Sequence, residues 1–287
     1  MAITLSNNYV IDFCASSGAL GFDGRGWPWE WPLRWIGVLD PKAFTIVAKT
    51  VTIESRKGNL SWWHPWTSVK LLSNQSVVNA IGLTNPGIYS WVAKDLKRGQ
   101  SLKYNLAASI SVSSIISAAQ CVQAIHMCEK LPFVEVNISC PNINNDLKIS
   151  TILEIFQDCG FPLVLKLGIH QINEEFIKSV DSFVEVYHAI NSVPWYVLYP
   201  DKKSPLNSDG GLSGRTIKKI AIDAVSRLKR MTSKSIIGGG GIMCLDDVWD
   251  FEVAGASAFS IGSCFLLSPW RPNQIVEDYN IIVQGKW

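Results

Sequence analysis

Apolar segments of strand length alternate with amphipathic helical patterns along most of this chain. The clearest helical pattern spans residues 217–228, where apolar side chains recur with i, i+3, i+4, i+7 spacing. Eight strand–helix units in 287 residues predict a (β/α)8 barrel, a fold that typically takes about 250 residues. An open doubly wound α/β sheet is the alternative. Residues 3–5 and 9–13 predict a short β-hairpin before the first barrel strand.

The composition fits one folded domain. Hydrophobic residues make up 47% of the chain and charged residues 17%, which is typical of a globular protein with a large core. No internal repeat or low-complexity linker interrupts the pattern, so we expect a single domain over residues 1–287. The net charge of +2 gives no reason to expect a nucleic-acid partner or an anionic membrane.

Neither a signal peptide nor a membrane anchor is expected, because the first 13 residues have no basic region and no long apolar core. Residues 105–128 carry no charged side chain, but their apolar residues predict one helical face rather than a membrane span. That face comprises Val112, Ile115, Ile116, Ala119 and Val122. The seven cysteines include no CxxC pair, which argues against disulfides, zinc or an iron–sulfur cluster. A reducing cytosol is therefore the expected compartment.

Polar residues recur where the predicted strands end. The expected strand ends lie near Ser17, Lys49, Asn105, Asn137, Lys166, Asn191, Gly238 and Ile261. Barrel active sites lie at the carboxyl ends of the strands, so the first six of these residues are expected to converge on one site. A lysine inside a barrel needs an anion or an electron-rich group nearby, unless its side chain reaches solvent. Neutral amides and two lysines suit a planar amide-bearing ring better than a metal ion.

Residues 137–142, Asn-Ile-Ser-Cys-Pro-Asn, combine two carboxamides with a thiol directly after a predicted buried strand. The carboxamides can hydrogen-bond a polar ring, and the Cys140 thiol can move a proton once it is deprotonated. A buried cysteine that acts as a small hydrophobe is the alternative.

Three glycine-rich segments predict a phosphate site. They are residues 238–241, the Gly262-Ser263 pair and residues 210–214. The first two follow the predicted seventh and eighth strands, where many barrels bind a phosphate through backbone N–H groups. Flexible loops without a ligand are the alternative. These glycines alone indicate only a phosphate-bearing ligand.

Taken in order, these motifs resemble the dihydroorotate dehydrogenases, flavin-containing barrel enzymes of pyrimidine synthesis. The resemblance rests on Ala-Ser-Ser-Gly at 15–18, Val-Ala-Lys-Thr at 47–50, Asn-Ala-Ile-Gly-Leu at 79–83, Val-Asn-Ile-Ser-Cys-Pro-Asn at 136–142, Gly-Gly-Leu-Ser-Gly at 210–214 and Gly-Gly-Gly-Gly-Ile at 238–242. A cysteine at position 140 and the lack of an amino-terminal membrane helix resemble the class 1 enzymes; the membrane-bound class uses serine.

The resemblance implies a role for each matching residue. Cys140 is the implied catalytic base and Lys49 the second catalytic residue. The implied substrate contacts are Lys49, Asn79, Ala80, Ile81, Gly82, Leu83, Asn137, Asn142, Asn191 and Ser192. The implied FMN contacts are Ser17, Lys49, Thr50, Asn105, Asn137, Lys166, Ile190, Gly214, Gly240, Gly241, Gly262 and Ser263. No metal ligand is implied.

The segments at 79–87 and 210–214 resemble the NAD-linked branch, class 1B. That likeness implies a homodimer, or a heterotetramer with an FAD and iron–sulfur subunit. Two features depart from the family: a short loop after Asn142, and tryptophans concentrated at residues 27–35 and 62–66. The tryptophans predict either core packing or a partner surface. Two other functions stay open, a flavin oxidoreductase for another pyrimidine-like ring and a flavin-free phosphate-binding barrel that acts as a lyase, an isomerase or a binding subunit.

Overall fold

The computed structural model describes residues 2–61, 63–138, 149–206 and 208–285. Its strands are β1 (Ile3–Thr4), β2 (Val10–Ile11), β3 (Phe13–Ala15), β4 (Thr45–Val47), β5 (Val69–Leu72), β6 (Ser76–Asn79), β7 (Asn105–Ile110), β8 (Val134–Asn137), β9 (Leu163–Leu167), β10 (Val186–Ala189), β11 (Val193–Pro194), β12 (Gly211–Gly214), β13 (Ser235–Gly239) and β14 (Ala258–Ile261). Its α-helices are α1 (Trp31–Trp35), α2 (Ile88–Ser90), α3 (Lys97–Ser101), α4 (Ile115–Ile125), α5 (Ile149–Gln157), α6 (Glu174–Val180), α7 (Trp195–Leu198), α8 (Lys218–Met231), α9 (Leu245–Val253), α10 (Ser263–Leu267) and α11 (Arg271–Gln284). A π-helical segment, Trp91–Leu96, joins α2 to α3.

Eight parallel strands close into a barrel in the order β3-β4-β7-β8-β9-β10-β13-β14. Every pairing in this ring is parallel, and at least one helix separates each strand from the next along the chain. The predicted (β/α)8 barrel is therefore confirmed. The predicted hairpin is also confirmed, because β1 and β2 pair antiparallel with Ile3 opposite Ile11.

The barrel interior changes from apolar to polar along the strands. Side chains at the amino end form one apolar cluster with the hairpin: Ile3, Leu5, Ile11, Cys14, Val47, Ala107, Phe133, Val164, Val186, Ile237 and Ala258. Because side chains alternate between the two faces of a strand, the residues two positions further along point inward as well. Those positions carry Ser16, Lys49, Ser109, Glu135, Lys166, His188, Gly239 and Ser260. The hairpin thus closes one end of the barrel, and a polar layer faces the other end.

A small antiparallel sheet forms part of the carboxyl end. Strands β5 and β6 come from the connection after β4, and β11 and β12 come from the connection after β10. The four strands pair in the order β11-β12-β6-β5, with Asn79 of β6 opposite Gly211 of β12. This sheet joins two loops that the sequence patterns left separate.

Two local predictions are wrong. Strand β7 begins at Asn105 instead of ending there, because the apolar residues that cross the barrel follow Asn105 rather than precede it. The buried face of α4 is formed by Ala118, Cys121, Val122 and Ile125, whereas Ile115 and Ile116 are exposed. Within the part of the chain that the structure describes, no helix combines the length and apolar character that crossing a membrane requires.

Candidate active site

Three strand ends bring predicted site residues together around the Thr50 hydroxyl. Ser17, which follows β3, places its Oγ 2.9 Å from Thr50 Oγ1 and accepts the Thr50 backbone N–H at 3.1 Å. Asn137, the last residue of β8, donates from Nδ2 to the same Thr50 oxygen at 3.2 Å. A Cβ at Gly18 would lie 3.4 Å from the Lys49 side chain, so the loop after β3 packs on this lysine.

Lys49 is buried without a carboxylate partner. Among the described residues, its ammonium makes no ion pair and no hydrogen bond, and the closest aromatic ring is Phe22, 5.9 Å from the ring centroid. Burial lowers the pKa of Lys49 from its ordinary 10.5 to about 8. A desolvated cation with this environment attracts an anionic or electron-rich ligand.

Lys166 lies beside Asn137 inside the barrel. In the parallel ladders it is paired with Asn137 on β8 and with His188 on β10. Its side chain is buried, and it interacts electrostatically with the buried carboxylate of Glu135. The two buried lysines therefore differ, because Lys166 has an internal counter-charge and Lys49 has none among the described residues.

The loop after β6 is held in shape by Asn85. Its Oδ1 accepts N–H groups from Thr52 at 3.2 Å and Gly87 at 2.8 Å. Its Nδ2 donates to Thr52 Oγ1 at 2.9 Å and to the Leu83 carbonyl at 2.8 Å. Gly82 and Leu83 both have positive φ, at 69° and 57°. Asn85 begins the Asn-Pro-Gly turn signature of residues 85–87, the signal in the sequence that marks it as a residue that shapes this loop.

The substrate-side residues of two loops meet at the small sheet. Asn79 Nδ2 lies 3.4 Å from the Gly211 carbonyl oxygen, and a Cβ at Gly211 would come within 2.3 Å of Ser192 Oγ. Asn191 accepts the Ser192 N–H on its Oδ1 at 3.0 Å. Asn79 therefore lies near the Asn191–Ser192 turn, and the shared role of these residues in substrate binding stays a prediction.

The predicted phosphate glycines pack against the start of α8. Gly214, Gly240 and Gly241 have φ values of 91°, 118° and 104°, which side-chain-bearing residues rarely adopt. A Cβ at Gly240 would lie 2.9 Å from Ala221, and one at Gly241 would lie 2.8 Å from the Gly214 carbonyl. A side chain would thus collide with the helix and the neighbouring turn, rather than fill open space for phosphate oxygens. Gly262 follows β14, the neighbour of β13, so Gly262 and Ser263 lie beside this turn.

A cluster of charged side chains stabilises the turns at Gly214 and at Gly240–Gly241. Asp247 on α9 accepts the backbone N–H groups of Met243 and Cys244, at 2.7 and 3.0 Å. Its other oxygen binds Arg215 at 2.8 Å and also binds Lys218. These donors outweigh burial, which alone would raise the pKa of Asp247, and hold that pKa below its ordinary value.

Some predicted residues are not part of this arrangement. Asn105 lies at the amino end of the barrel, opposite the site, so its predicted contact with a flavin is wrong in position. Ser109, on the same strand, reaches Thr50 instead, at 2.9 Å. Ile190 is buried directly after β10.

Cys140 and Asn142 lie outside the described residues. Glu135 and His188, which sequence analysis missed, occupy the polar layer beneath Asn137.

Comparison with known proteins identifies one family. The model of the dihydroorotate dehydrogenase family matches residues 36–282. Similar proteins include three named dihydroorotate dehydrogenase B (NAD(+)), catalytic subunit. The Halalkalibacterium halodurans protein is 28% identical over 92% of this chain and 86% of its own length. The Petrotoga mobilis protein is 27% identical over 92% of this chain and 87% of its own length. The Thermoplasma volcanium protein is 32% identical over 79% of this chain and 76% of its own length.

Proposed function

Because the chain belongs to the dihydroorotate dehydrogenase family of flavin-dependent oxidoreductases, we propose that it oxidises (S)-dihydroorotate to orotate with a bound FMN. The observation that carries the proposal is the Lys49 ammonium, which is buried at the carboxyl end of the barrel and makes no ion pair among the described residues. Orotate carries a carboxylate, which matches a buried cation, and a planar imide ring, which matches the amides predicted for this site.

The residues present fit an FMN. Gly214, Gly240 and Gly241 have positive φ values that glycine adopts readily, and Gly262 and Ser263 follow the neighbouring strand β14. Backbone N–H groups of these turns would hold the phosphate. Lys166, Ser17, Thr50, Asn137 and Ile190 would surround the flavin ring. When bound, FMN would supply the two-electron chemistry, with flavin N5 as the expected acceptor of a hydride from substrate C6.

A second set of residues in the candidate site is assigned to substrate recognition. We assign the carboxylate and the ring to Lys49, Asn79, Asn137, Asn142, Asn191 and Ser192, together with the loop formed by Ala80, Ile81, Gly82 and Leu83. Asn85 supports this loop from outside by holding Leu83 in its left-handed conformation. Fixed amides orient a ring without reorganisation, which is how positioning contributes to rate.

Cys140 is the proposed general base. Cys140 follows Asn137 by three residues in the sequence, and as the base its thiolate would remove the proton from substrate C5. A thiol with an ordinary pKa of ~8.5 is mostly protonated at neutral pH, so the rate of substrate oxidation should rise into mild alkali.

Electron transfer beyond the flavin is proposed to need a second subunit. The similar proteins are named as catalytic subunits linked to NAD(+). We propose a homodimer of single-domain chains, in the cytoplasm, that assembles with an FAD and iron–sulfur subunit into a heterotetramer. The segment 27–35 is the candidate contact, because Trp29 and Trp35 are exposed while Trp27 donates its indole N–H to Gly18 beside the site.

The partner proposal is tested by steady-state assays of the purified chain alone. We expect turnover with an artificial dye and none with NAD⁺. Rapid turnover with fumarate would contradict the need for a second subunit.

The central test is an anaerobic titration of the yellow, flavin-containing protein with dihydroorotate. We expect the flavin absorbance to bleach after one equivalent per chain, and dihydrouracil, which lacks the carboxylate, serves as the control. Bleaching by dihydrouracil alone would favour another pyrimidine-like substrate. Protein purified without any flavin, and unable to bind added FMN, would favour the flavin-free barrel.

A further inference from the structure

One loop contacts Lys49 from its backbone to its ammonium. This loop, residues 17–22, follows β3 and precedes the tryptophan-rich segment 27–35. The Gly21 carbonyl accepts the Lys49 backbone N–H at 2.9 Å, and a Cβ at Gly18 would lie 3.4 Å from Lys49 Cγ. Phe22 lies beside the ammonium, with its ring centroid 5.9 Å from Nζ. The burial of Lys49 therefore depends on the position of the loop 17–22.

Two indole N–H groups hold this loop. Trp27 donates to the Gly18 carbonyl at 3.0 Å, and Trp91 donates to the Phe22 carbonyl at 2.8 Å. Trp91 is fully buried in the core, whereas Trp27 is half-buried and belongs to the tryptophan-rich segment. The loop is thus held at Phe22 by the core and at Gly18 by a residue from outside the barrel.

The other contacts of the loop act mainly on its other residues. Ser17 Oγ donates to the Ala48 carbonyl at 2.9 Å, and the Gly26 N–H reaches the Leu20 carbonyl at 3.1 Å. The Gly18 carbonyl receives one further N–H, from Gly21 at 3.4 Å. This distance is long for a hydrogen bond, so Trp27 supplies the stronger of the two contacts at Gly18.

A buried carboxylate holds Trp27 in turn. Glu30 is 1% exposed, and its Oε2 accepts the Trp27 backbone N–H at 2.7 Å. Burial raises the pKa of Glu30 to about 7, although the Trp27 N–H and the charge of Arg34 act in the opposite direction. Above this pH the carboxylate is ionised, and its hydrogen bond to Trp27 is charge-assisted and therefore stronger than a neutral one. The indole thus reaches Gly18 from a backbone that is itself fixed.

Burial alone lowers the pKa of Lys49 to about 8. The inward positions on either side of Lys49 carry uncharged serines, Ser16 after β3 and Ser109 in β7. The titratable side chains of the polar layer lie further round the barrel, on β8, β9 and β10: Glu135, Lys166 and His188. Water admitted beside Lys49 would therefore raise its pKa toward the ordinary 10.5.

We infer that Trp27 is a positioning residue, which holds the loop 17–22 against Lys49 and keeps water from the ammonium. A cation that is already desolvated binds an anion more strongly, because no water has to be displaced when the ligand arrives. Trp27 acts through Gly18 in this role. The consequence for orotate rests on the proposed function, whereas the exclusion of water from Lys49 does not.

Trp27→Phe tests this role because it keeps an aromatic ring and removes the indole N–H. The Gly18 carbonyl then keeps only the long contact with Gly21, so a water molecule should fill its vacated lone pair. Because Gly18 lies against the Lys49 stem, this water enters beside the lysine. We expect the pKa of Lys49 to rise from about 8 toward 10.5.

The experiment is a double-mutant cycle on the full-length, flavin-free chain, measured by urea unfolding at about pH 7.5. Lys49→Met removes a desolvated charge and should stabilise the otherwise wild-type protein. In Trp27→Phe the lysine is already hydrated, so the gain from Lys49→Met should fall to about half or less of its wild-type value. Each gain compares two proteins that both contain Glu30, so the titration of Glu30 cancels.

Trp31→Phe is the matched control. It makes the same change of ring in the same segment, but its indole N–H reaches the Gly26 carbonyl, at 3.4 Å, instead of the loop 17–22. The gain from Lys49→Met should keep its wild-type value in this background. An unchanged gain in Trp27→Phe overturns the inference. An equal fall in Trp27→Phe and Trp31→Phe also overturns it, since the segment would then be loosened as a whole.

A second measurement follows orotate binding to the FMN-loaded protein by flavin absorbance across the pH range. Wild-type affinity should fall as the pH rises through the pKa of Lys49, and Lys49→Met should lack this fall. In Trp27→Phe the midpoint of the fall should move upward by about one pH unit or more, whereas Trp31→Phe keeps the wild-type midpoint. A Trp27→Phe protein that folds only with flavin is tested in this way, and an unmoved midpoint overturns the inference.

The two measurements separate the inference from the proposed function. FMN-loaded wild-type protein that binds no orotate overturns the proposed function, while the double-mutant cycle still decides whether Trp27 keeps water from Lys49. If Lys49→Met gives no gain in the wild-type background, Lys49 is hydrated already. That result overturns the inference, and the titration with dihydroorotate still decides the proposed function.

Discussion

Replacing Lys49 by methionine should stabilise the flavin-free protein and weaken the binding of orotate. The buried ammonium has no counter-charge among the described residues, and burial lowers its pKa from 10.5 to about 8. One pKa unit corresponds to about 1.4 kcal/mol, so the folded state loses about 3 kcal/mol at pH 7 by keeping this group charged. Methionine keeps the apolar stem and removes the charge. For a chain of this size, the gain corresponds to a melting temperature roughly 5 °C higher.

The gain in stability of Lys49→Met over wild type should decrease as the pH rises. Between about pH 8 and 10.5 the unfolded chain holds a proton on Lys49 that the folded chain has released, so wild-type stability rises through this window. The difference between Lys49→Met and wild type is therefore largest below pH 8 and disappears above about 10.5. Urea unfolding of both flavin-stripped proteins at several pH values measures this difference directly.

A surface lysine provides the control. Lys219→Met removes an exposed ammonium from α8, and its stability should stay within about 0.5 kcal/mol of wild type at every pH. In the flavin-loaded protein, Lys49→Met should also bind orotate more weakly, because the cation that faces the carboxylate is gone. A Lys49→Met protein no more stable than wild type at pH 7 would refute the argument, since the ammonium would then be solvated.

Three further outcomes are expected. Cys140→Ala should keep FMN but slow flavin reduction by dihydroorotate about 10²- to 10⁴-fold at neutral pH, as measured by stopped-flow absorbance. Gly241→Val should lose FMN on gel filtration, because its φ of 104° and the contact with the Gly214 carbonyl force the turn to move. Asp247→Asn should lower the free energy of unfolding by about 3 kcal/mol in urea at pH 7, and the loss should shrink toward acid, where wild-type Asp247 is protonated as well.

The barrel was predictable because its evidence is local. Strand-length apolar runs and helical periodicity repeat eight times, and each short element was recognisable without knowledge of its neighbours. The error at Asn105 shows where local patterns fail. A polar residue beside an apolar run can precede or follow the strand, and only the register with β4, which pairs Thr45 with Asn105, decides between them.

The candidate site was predictable where it lies at strand ends. Lys49, Thr50 and Asn137 interrupt or follow apolar runs, so their polarity stood out. Glu135 and His188 were missed because each sits inside a short strand whose neighbours are apolar. A parallel barrel strand is buried on both faces, so a charged residue two positions before a site residue must face the barrel interior. That rule would have placed Glu135 beneath Asn137.

The two buried lysines obtain their negative counter-charges from different sources. Lys166 interacts electrostatically with the buried Glu135 carboxylate, which in turn is held by Ser109 and His188, so the charge of Lys166 has a counter-charge before any ligand binds. Lys49 makes no ion pair among the described residues, so its charge has to be balanced by a ligand. Orotate binding should therefore raise the pKa of Lys49 and take up protons near pH 8, whereas Lys49→Met should bind orotate without that uptake. Calorimetric titration in two buffers of different ionisation enthalpy measures the number of protons, and a value of zero in wild type would mean that the orotate carboxylate is held elsewhere.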